Sequence, residues 1–564
     1  MATKISTVSK FELGAHEIFH YNLKFYQCAE ESYLMISDAQ NSSQSTQFHL
    51  YKNQQISSTF NYSIPKIKSI HGFFQASLPL DPLISPWPHH PHDGHGQAPR
   101  PPPPRHRHHR HHSRNAARYR PYLQDAIDSG LPVAFLELPF PAVEVGLPEG
   151  CESGDDIHDL ELVHKFTAAV DMLRERLEER FESLDPRPDC ILSDKYMLWT
   201  AETAAKYRIP RIIFDGMSCF KQVCSHYLYE SKVFDEMPES EPFVLPGIPD
   251  RITTTVLQLP PEFNNNRMAA KDQLDRVRET ELAAYGMVVN SFEELEEEYV
   301  NEFKKIKNGK VWCLGPLSLT DNNDSRKSVR GNGNSIDEQR IVKWLDSKEP
   351  GSVIYACFGS SSQVIPPQLI ELGLGLEASN RPFIWVIRAG DRGAEIEQWI
   401  TETGFEERMR DRAILIRDWA PQVLILSHPS VGGFLTHCGW NSVLEAVCAG
   451  VPLVTWPLFA EQFLNEKLVV EVLGIGVAVG APCVVHWGLE DKYGVTVKNE
   501  QVSNAIRKVM DVGKEGNERR RKVKAVGMVA KKVVEEGGSS HRNLTRLIQD
   551  ITELANVKNE KTSS

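Results

Sequence analysis

From residue 337 onward, short apolar runs alternate with amphipathic stretches, the pattern of a doubly wound parallel sheet. The runs predict strands at 353–358, 382–388, 413–417, 431–436, 451–456 and 474–479, with helices between them. Residues 501–510, 519–536 and 540–555 repeat their apolar positions at helical spacing and predict closing helices. Upstream, 190–193 reads as a strand that ends at Asp194. The run 318–336 is polar, rich in Gly and Asn and without periodicity, so it predicts an exposed linker between two α/β lobes. The domains expected are a lobe over 115–317, a second over 337–540, and a C-terminal helix and tail over 541–564. Residues 1–114 stand apart from this pattern.

Candidate chemistry gathers where strands meet helices. The strand 431–436 runs through His437-Cys438-Gly439 into a helix that begins near Asn441 and Ser442, both good N-caps. Such a helix start presents unpaired N–H groups and the positive end of the macrodipole to an anion, here a diphosphate. Gly439 lets the backbone approach closely. The strand 353–358 ends in Gly359-Ser360-Ser361-Ser362, a loop at a strand's carboxyl end, where ligands of such sheets bind.

The block from Trp419 to Gln462, WAPQVLILSHPSVGGFLTHCGWNSVLEAVCAGVPLVTWPLFAEQ, resembles the C-terminal signature of plant UDP-dependent family 1 glycosyltransferases. The likeness extends through PPQLIELGLGLEASNRPFIWVIR. It implies that Trp419 stacks on uracil with Ala420 beside it, and that Gln422 and Glu445 hold ribose hydroxyls. It also implies that His437, Asn441 and Ser442 contact the phosphates, with Gly439 and Ser360 at the same diphosphate, and that Trp440, Glu461 and Gln462 meet the sugar. Gln462 resembles the residue of glucose-preferring members. The residue types suit these roles: an indole face for a flat base, a carboxylate for paired hydroxyls, amide and carboxylate ends for sugar polar groups. A lone Trp at a strand end is usually core and a lone His usually a satisfied neighbour; the joint spacing in a strand–loop–helix context is what makes these residues a site.

The upstream lobe is similar to the family in LPFPAVEVGLPEGCE, PRPDCILSD, IPRIIFDGMSCF and MVVNSFEELE. Asp194 stands where the family carries the acid that orients its catalytic His, and an Asp there also reads as a helix cap. The resemblance implies two facing Rossmann-like lobes of the GT-B type, with UDP-sugar in the C-terminal lobe and acceptor in an incomplete N-terminal one. It further implies transfer of glucose from UDP-glucose to a hydroxyl of a small-molecule acceptor with inversion, using no cofactor and no metal. The sequence does not select the acceptor, and flavonoid, terpenoid and hormone scaffolds all remain open. Charge left on UDP would be held by the helix start and by His437.

Composition narrows the partners. A chain of 564 residues with 41% hydrophobic content supports two or three cored domains. The net charge of -12 and pI near 6.0 disfavour nucleic acid. Ten Cys without a CxxC pair read as free thiols of a reducing compartment, the cytosol. There is no signal-like start and no run of 18 apolar residues, so no membrane span is expected.

The family's base is a His in a Gly-His-x-x-Pro loop after the first strand, and that loop is not in this chain. Residues 1–76 show no strand–loop–helix unit of that kind, and 77–114 (SLPLDPLISPWPHHPHDGHGQAPRPPPPRHRHHRHHSR) are compositionally foreign. Such a tract reads as metal-binding, as a basic disordered arm, or as a stretch translated in the wrong frame. The nine His between His89 and His112 lack a ligand spacing tied to any fold, and none of His89, His90, His92 or His95 gains a pocket from its position in the sequence.

The genetic code bears on the third reading. Shifting one base makes Trp87-Pro88 encode Gly and lets Pro88-His89 encode His, followed by Thr-Ile-Pro-Met-Met-Asp-Met-Ala. Over 77–86 the same shift permits His-Phe-Leu-Leu-Ile-Pro-Leu-Leu-Ala-Pro, and the Arg/His run permits Val-Thr-Val-Thr-Ile-Val-Thr-Thr-Pro before Asn115. That is a strand, the absent His loop, a helix and a second strand in family order. The hypothesis is a frame error upstream of about Arg114. Sequencing the transcript across codons 70 to 120 is expected to show the shifted frame continuous with codon 115; an mRNA confirmed in the present frame, with activity from the purified chain, contradicts it.

Overall fold

The computed structural model describes residues 33–37, 73–77, 124, 133–136, 138–152, 160–184, 187–264, 271–319, 338–359, 362, 364–388, 392–417, 419–486 and 489–563. Two sheets organise them. The first lobe has seven strands: β1 (Tyr33–Ser37), β2 (Phe73–Ser77), β3 (Val133–Leu136), β4 (Cys190–Asp194), β5 (Arg211–Asp215), β8 (Gly286–Val289) and β9 (Val311–Cys313). They lie in the order β3-β1-β2-β4-β5-β8-β9, and β6 (Phe243–Val244) pairs with β7 (Thr253–Thr254) as a separate small hairpin. From β2 to β9 every neighbour is parallel, whereas β1 runs antiparallel to both β2 and β3.

The second lobe has β10 (Val353–Cys357), β11 (Phe383–Val386), β12 (Ala413–Ile416), β13 (Val431–Thr436), β14 (Leu453–Thr455) and β15 (Gly476–Ala478). All are parallel, in the order β12-β11-β10-β13-β14-β15. The chain therefore winds outward from β10 in one direction and, after a crossover, from β13 in the other. The gap between the carboxyl ends of β10 and β13 is the switch point where such sheets bind ligands.

The expected α/β class with two doubly wound lobes is the one observed. Each predicted strand of the second lobe is present, and 431–436 keeps both ends. The others are shorter by physical necessity at two places. Pro382 and Pro452 have no N–H for the ladder, so β11 starts at Phe383 and β14 at Leu453. The strands are buried on both faces, as helices on either side of a parallel sheet require.

Three boundary expectations need correction. The linker was expected from Ser318, but Leu317 and Ser318 are buried and Ser318 Oγ lies 3.9 Å from Cys448 Sγ of the second lobe; residues 320–337 lie outside the described ones. The region 1–114 was set apart from the fold, yet its short runs YLMIS and FFQAS are strands of the first sheet; five residues without turn signals are too few for periodicity to detect. The His-rich tract 89–112 lies outside the described residues.

The third correction concerns the C-terminal helix. It spans Ser539–Ser563 and returns to the first lobe instead of ending the second. Leu544, Leu547, Ile548 and Ile551 pack with Leu192, Phe214, Val288 and Trp312 of the seven-stranded sheet. Asn543 Nδ2 donates to Cys313 O at 3.1 Å, and Lys310 Nζ sits 2.8 Å from Asp550 Oδ2. Helical periodicity shows an apolar face but not the sheet that covers it. Nine cysteines are described and all are free thiols. Among the described residues no helix is long and apolar enough to cross a membrane.

The returning helix generates a test. Leu547 is fully buried, so Leu547→Ala should destabilise the first lobe by about 2–5 kcal/mol. Amide exchange should accelerate across β9 while β13 keeps its protection; unchanged exchange in β9 would show that the helix does not seat there.

Candidate active site at the carboxyl ends of β10 and β13

The loop leaving β13 is shaped by one left-handed residue. Cys438 has φ 68, a conformation that costs a non-glycine residue energy and persists only where its surroundings enforce it. Asn465 Nδ2, itself buried, donates to Cys438 O at 2.9 Å, and Cys438 N donates to Thr436 Oγ1 at 3.4 Å. Ala460, with φ 51, is a second such residue, immediately before Glu461.

Helix Trp440–Ala449 follows, and its N-cap is Gly439, with no side-chain cap bond. The expectation that Asn441 and Ser442 cap the helix is thus corrected: they occupy its first turn. The absence of a side-chain cap leaves first-turn N–H donors directed at the switch point, which is what an anion requires.

Gly439 is needed for a reason other than its own conformation. A Cβ there would lie 2.4 Å from His437 Nε2, and a Cβ at Gly359 would lie 2.7 Å from His437 Cε1. The imidazole is held between these two glycines, one from each side of the switch point. Desolvation of the partly buried ring lowers its pKa from 6.5 to about 4, so the ring is neutral near pH 7 and one nitrogen is an N–H donor.

Gln422, Ser442 and Glu445 come together in the fold. Gln422 Nε2 donates to Ser442 Oγ at 3.1 Å and to Glu445 Oε2 at 2.8 Å. Behind them, the buried Tyr355 of β10 places its hydroxyl 3.3 Å from Gln422 Oε1 and fixes which end of the amide faces the carboxylate. Trp419 is half-buried and Ala420 buried, just ahead of the helix Gln422–Leu426.

Glu461 Oε1 accepts from Asn465 Nδ2 at 3.0 Å. Gln462 Oε1 accepts from Leu458 N at 2.9 Å and Phe459 N at 3.1 Å, so its carbonyl closes the preceding loop and its amide nitrogen is the end not tied to it. Trp440 departs from expectation. The residue is 2% exposed and its indole Nε1 donates to Asn290 O of the first lobe at 2.7 Å, so the indole is committed to the lobe interface. Ser360 lies outside the described residues.

Across the cleft, Asp194 ends β4, and its Oδ1 accepts from Tyr196 N at 2.7 Å, a turn-forming bond. The guanidinium of buried Arg211 donates to Asp194 O at 3.0 Å and to Ser193 Oγ at 3.0 Å, which holds the turn at the end of β4. Next to it, Lys195 and Asp215 form a buried ion pair at 3.0 Å. Among the described residues no group of three His, Cys, Asp or Glu is arranged to hold a metal.

Asn290, Tyr355 and Asn465 were not singled out from the sequence. Tyr355 reads as one more apolar strand residue, Asn290 belongs to the noted MVVNSFEELE without a role, and Asn465 sits inside an ordinary helix; only contacts between distant segments mark them.

Two Rossmann-like lobes, the second with its switch point at the carboxyl ends of β10 and β13, are the architecture of GT-B glycosyltransferases. The family profile described as "UDP-glucoronosyl and UDP-glucosyl transferase" matches residues 311–511. The chain is 47% identical over 447 residues to UDP-glycosyltransferase 73C6 of Arabidopsis thaliana, covering 79% of this chain and 90% of that protein. To UDP-glycosyltransferase 73C11 of Barbarea vulgaris it is likewise 47% identical over 447 residues, with the same coverage.

Among solved structures, Glycyrrhiza uralensis UGT73P12 complexed with glycyrrhetinic acid 3-O-monoglucuronide superposes with a TM-score of 0.73 at 36% identity, over 79% of this chain and 90% of that one. Phytolacca americana UGT2 complexed with UDP-2fluoro-glucose and pterostilbene gives a TM-score of 0.57 at 26% identity, over 74% and 91%. The chain belongs to the plant family 1 UDP-glycosyltransferases, which by family are hexosyltransferases acting on small molecules.

The enclosed imidazole has a measurable consequence. Its folded pKa lies below the unfolded value of 6.5, so the unfolded chain takes up a proton that the folded one refuses, and this group's effect is to lower stability as pH falls from 6.5 toward 4. In a folded sample, NMR signals of the His437 ring should keep their neutral-form positions from pH 8 down to about pH 5. A midpoint near 6.5 would mean the ring is solvated and not held between the glycines.

Proposed function

We propose that the chain binds UDP-glucose in its C-terminal lobe, and that its fold serves glucosyl transfer to a hydroxyl of a small acceptor with inversion. The observation that carries this reading is the convergence of Gln422, Ser442 and Glu445 with the neutral His437 at a helix start that has no side-chain cap. Trp419 is assigned to the uracil, Glu445 and Gln422 to the ribose, and His437, Asn441, Ser442 and Ser360 to the diphosphate. Glu461, Gln462 and the backbone of Trp440 are assigned to the hexose. In the transfer, the acceptor oxygen attacks the anomeric carbon, the bond to UDP breaks, and the charge on the departing diphosphate meets the helix N–H groups and the His437 N–H. No metal is assigned to this step, and a cytoplasmic location is part of the same reading.

The acceptor's proton needs a base. In the family this is a His in a Gly-His-x-x-Pro loop, which this chain lacks, and Asp194 alone cannot substitute for the imidazole it would orient. That absence favours a second reading, a UDP-sugar-binding protein without turnover in which the N-terminal region serves interaction.

Calorimetry and a glucosylation assay on hydroxylated terpenoids and polyphenols separate the two. The present chain should bind UDP and UDP-glucose and transfer little. Restoring the shifted-frame segment should raise turnover by roughly 10²–10⁴-fold, the usual worth of a general base. Full-rate transfer by the present chain would refute the need for that His, and failure to bind UDP would refute the site.

A further inference from the structure

Asn290 lies just past the carboxyl end of β8 in the acceptor lobe and is 2% exposed. All four of its polar positions are engaged, each with a different segment or atom. Its N donates to Asp215 O at 3.3 Å, at the end of β5. Its carbonyl accepts from Trp440 Nε1 at 2.7 Å. Its Oδ1 accepts from Leu317 N at 3.2 Å, on the stretch leaving the first lobe, and its Nδ2 donates to Asn441 Oδ1 at 3.1 Å. The backbone is tight here: a Cβ at Gly315 would lie 2.6 Å from Asn290 Oδ1.

A carboxamide has an acceptor end and a donor end, and which way it points is decided by its partners. The backbone N–H of Leu317 can only donate, so it fixes the oxygen of Asn290 on its own side and sends the nitrogen toward Asn441. That nitrogen can only donate, so the end of Asn441 facing it is the oxygen. The nitrogen of Asn441, an exposed residue in the first turn of helix Trp440–Ala449, is thereby turned to the other side. A backbone donor in one lobe thus sets the polarity of a side chain in the other.

We infer that Asn290 is a positioning residue: it holds the Asn441 carboxamide with its N–H₂ end toward the diphosphate of the donor, and ties that orientation to the seating of the two lobes. This rests on the assignment of the first turn of that helix to the diphosphate.

The replacement Asn290→Asp keeps the shape and the acceptor for Leu317 but removes the donor. Asn441 would then give its nitrogen to the new carboxylate and turn its carbonyl, with a negative charge behind it, toward the phosphates. UDP affinity measured by calorimetry on the full chain should fall about 10–100-fold, the usual effect of losing a hydrogen bond to a charged group. Uridine affinity should stay within about twofold, because no phosphate is present to sense the change. Adding Asn441→Ala to Asn290→Asp should cost nothing further.

If Asn290→Asp loses uridine binding as well, its fold is damaged, and the wild-type chain supplies the answer. The side-chain amide protons of isotopically labelled Asn441 should shift on titration with UDP and stay in place with uridine. Equal UDP affinity in wild type and Asn290→Asp, or an Asn441 amide that ignores UDP, overturns this inference while the donor site stands. A wild-type chain that binds no UDP overturns both.

Discussion

A helix whose first turn carries no side-chain cap has donors that must find partners outside it, and the structure of the second lobe is arranged around that demand. Helix Trp440–Ala449 starts at the switch point between β10 and β13, where no strand intervenes between its N–H groups and the cleft. Reaching that position takes a left-handed turn at Cys438, which Asn465 braces through the carbonyl. A side chain on either Gly359 or Gly439 would run into the His437 ring, which is why glycine stands on both sides of it. The neutrality of that ring follows from its desolvation.

The placement of this helix is also a contact between lobes. The indole of Trp440 is spent on Asn290 O, and the amide of Asn441 meets the amide of Asn290, so the helix start is located from the acceptor side as much as from its own sheet. The C-terminal helix strengthens the same dependence. By crossing back to bury Leu544, Leu547 and Ile551 against the first sheet, it makes the segment 544–551 part of the acceptor lobe's core. The helix start assigned to the proposed donor site, built by the second half of the sequence, is thus oriented by elements of the first.

Much of this was legible from residue order alone, where the information is local. Strands of the parallel sheet are continuous apolar runs, and Gly439, His437 and the Gln422–Glu445 pair lie within 44 residues of chain, Trp419 to Gln462. What periodicity could not reveal is which segment meets which. It placed Asn441 and Ser442 as caps, because Asn and Ser are common there, when the cap is Gly439. Nor could it reveal that the indole of Trp440, which the family resemblance sets at the sugar, is committed to the lobe interface. It began the linker at Ser318, a polar residue that packs against Cys448 across 130 positions of sequence. For Asp194, pattern left two roles open, and its Oδ1 accepts from Tyr196 N in a turn at the end of β4, a local bond that spacing alone did not single out.

The account stands on one location for the donor's diphosphate. A crystal structure of this chain soaked with UDP-glucose measures it directly. Density for the two phosphates should lie within hydrogen-bonding distance of backbone N–H groups in the first turn of helix Trp440–Ala449 and of the His437 ring, with uracil against the indole of Trp419. A nucleotide bound elsewhere, or a first turn that stays empty while UDP binds in solution, would contradict it.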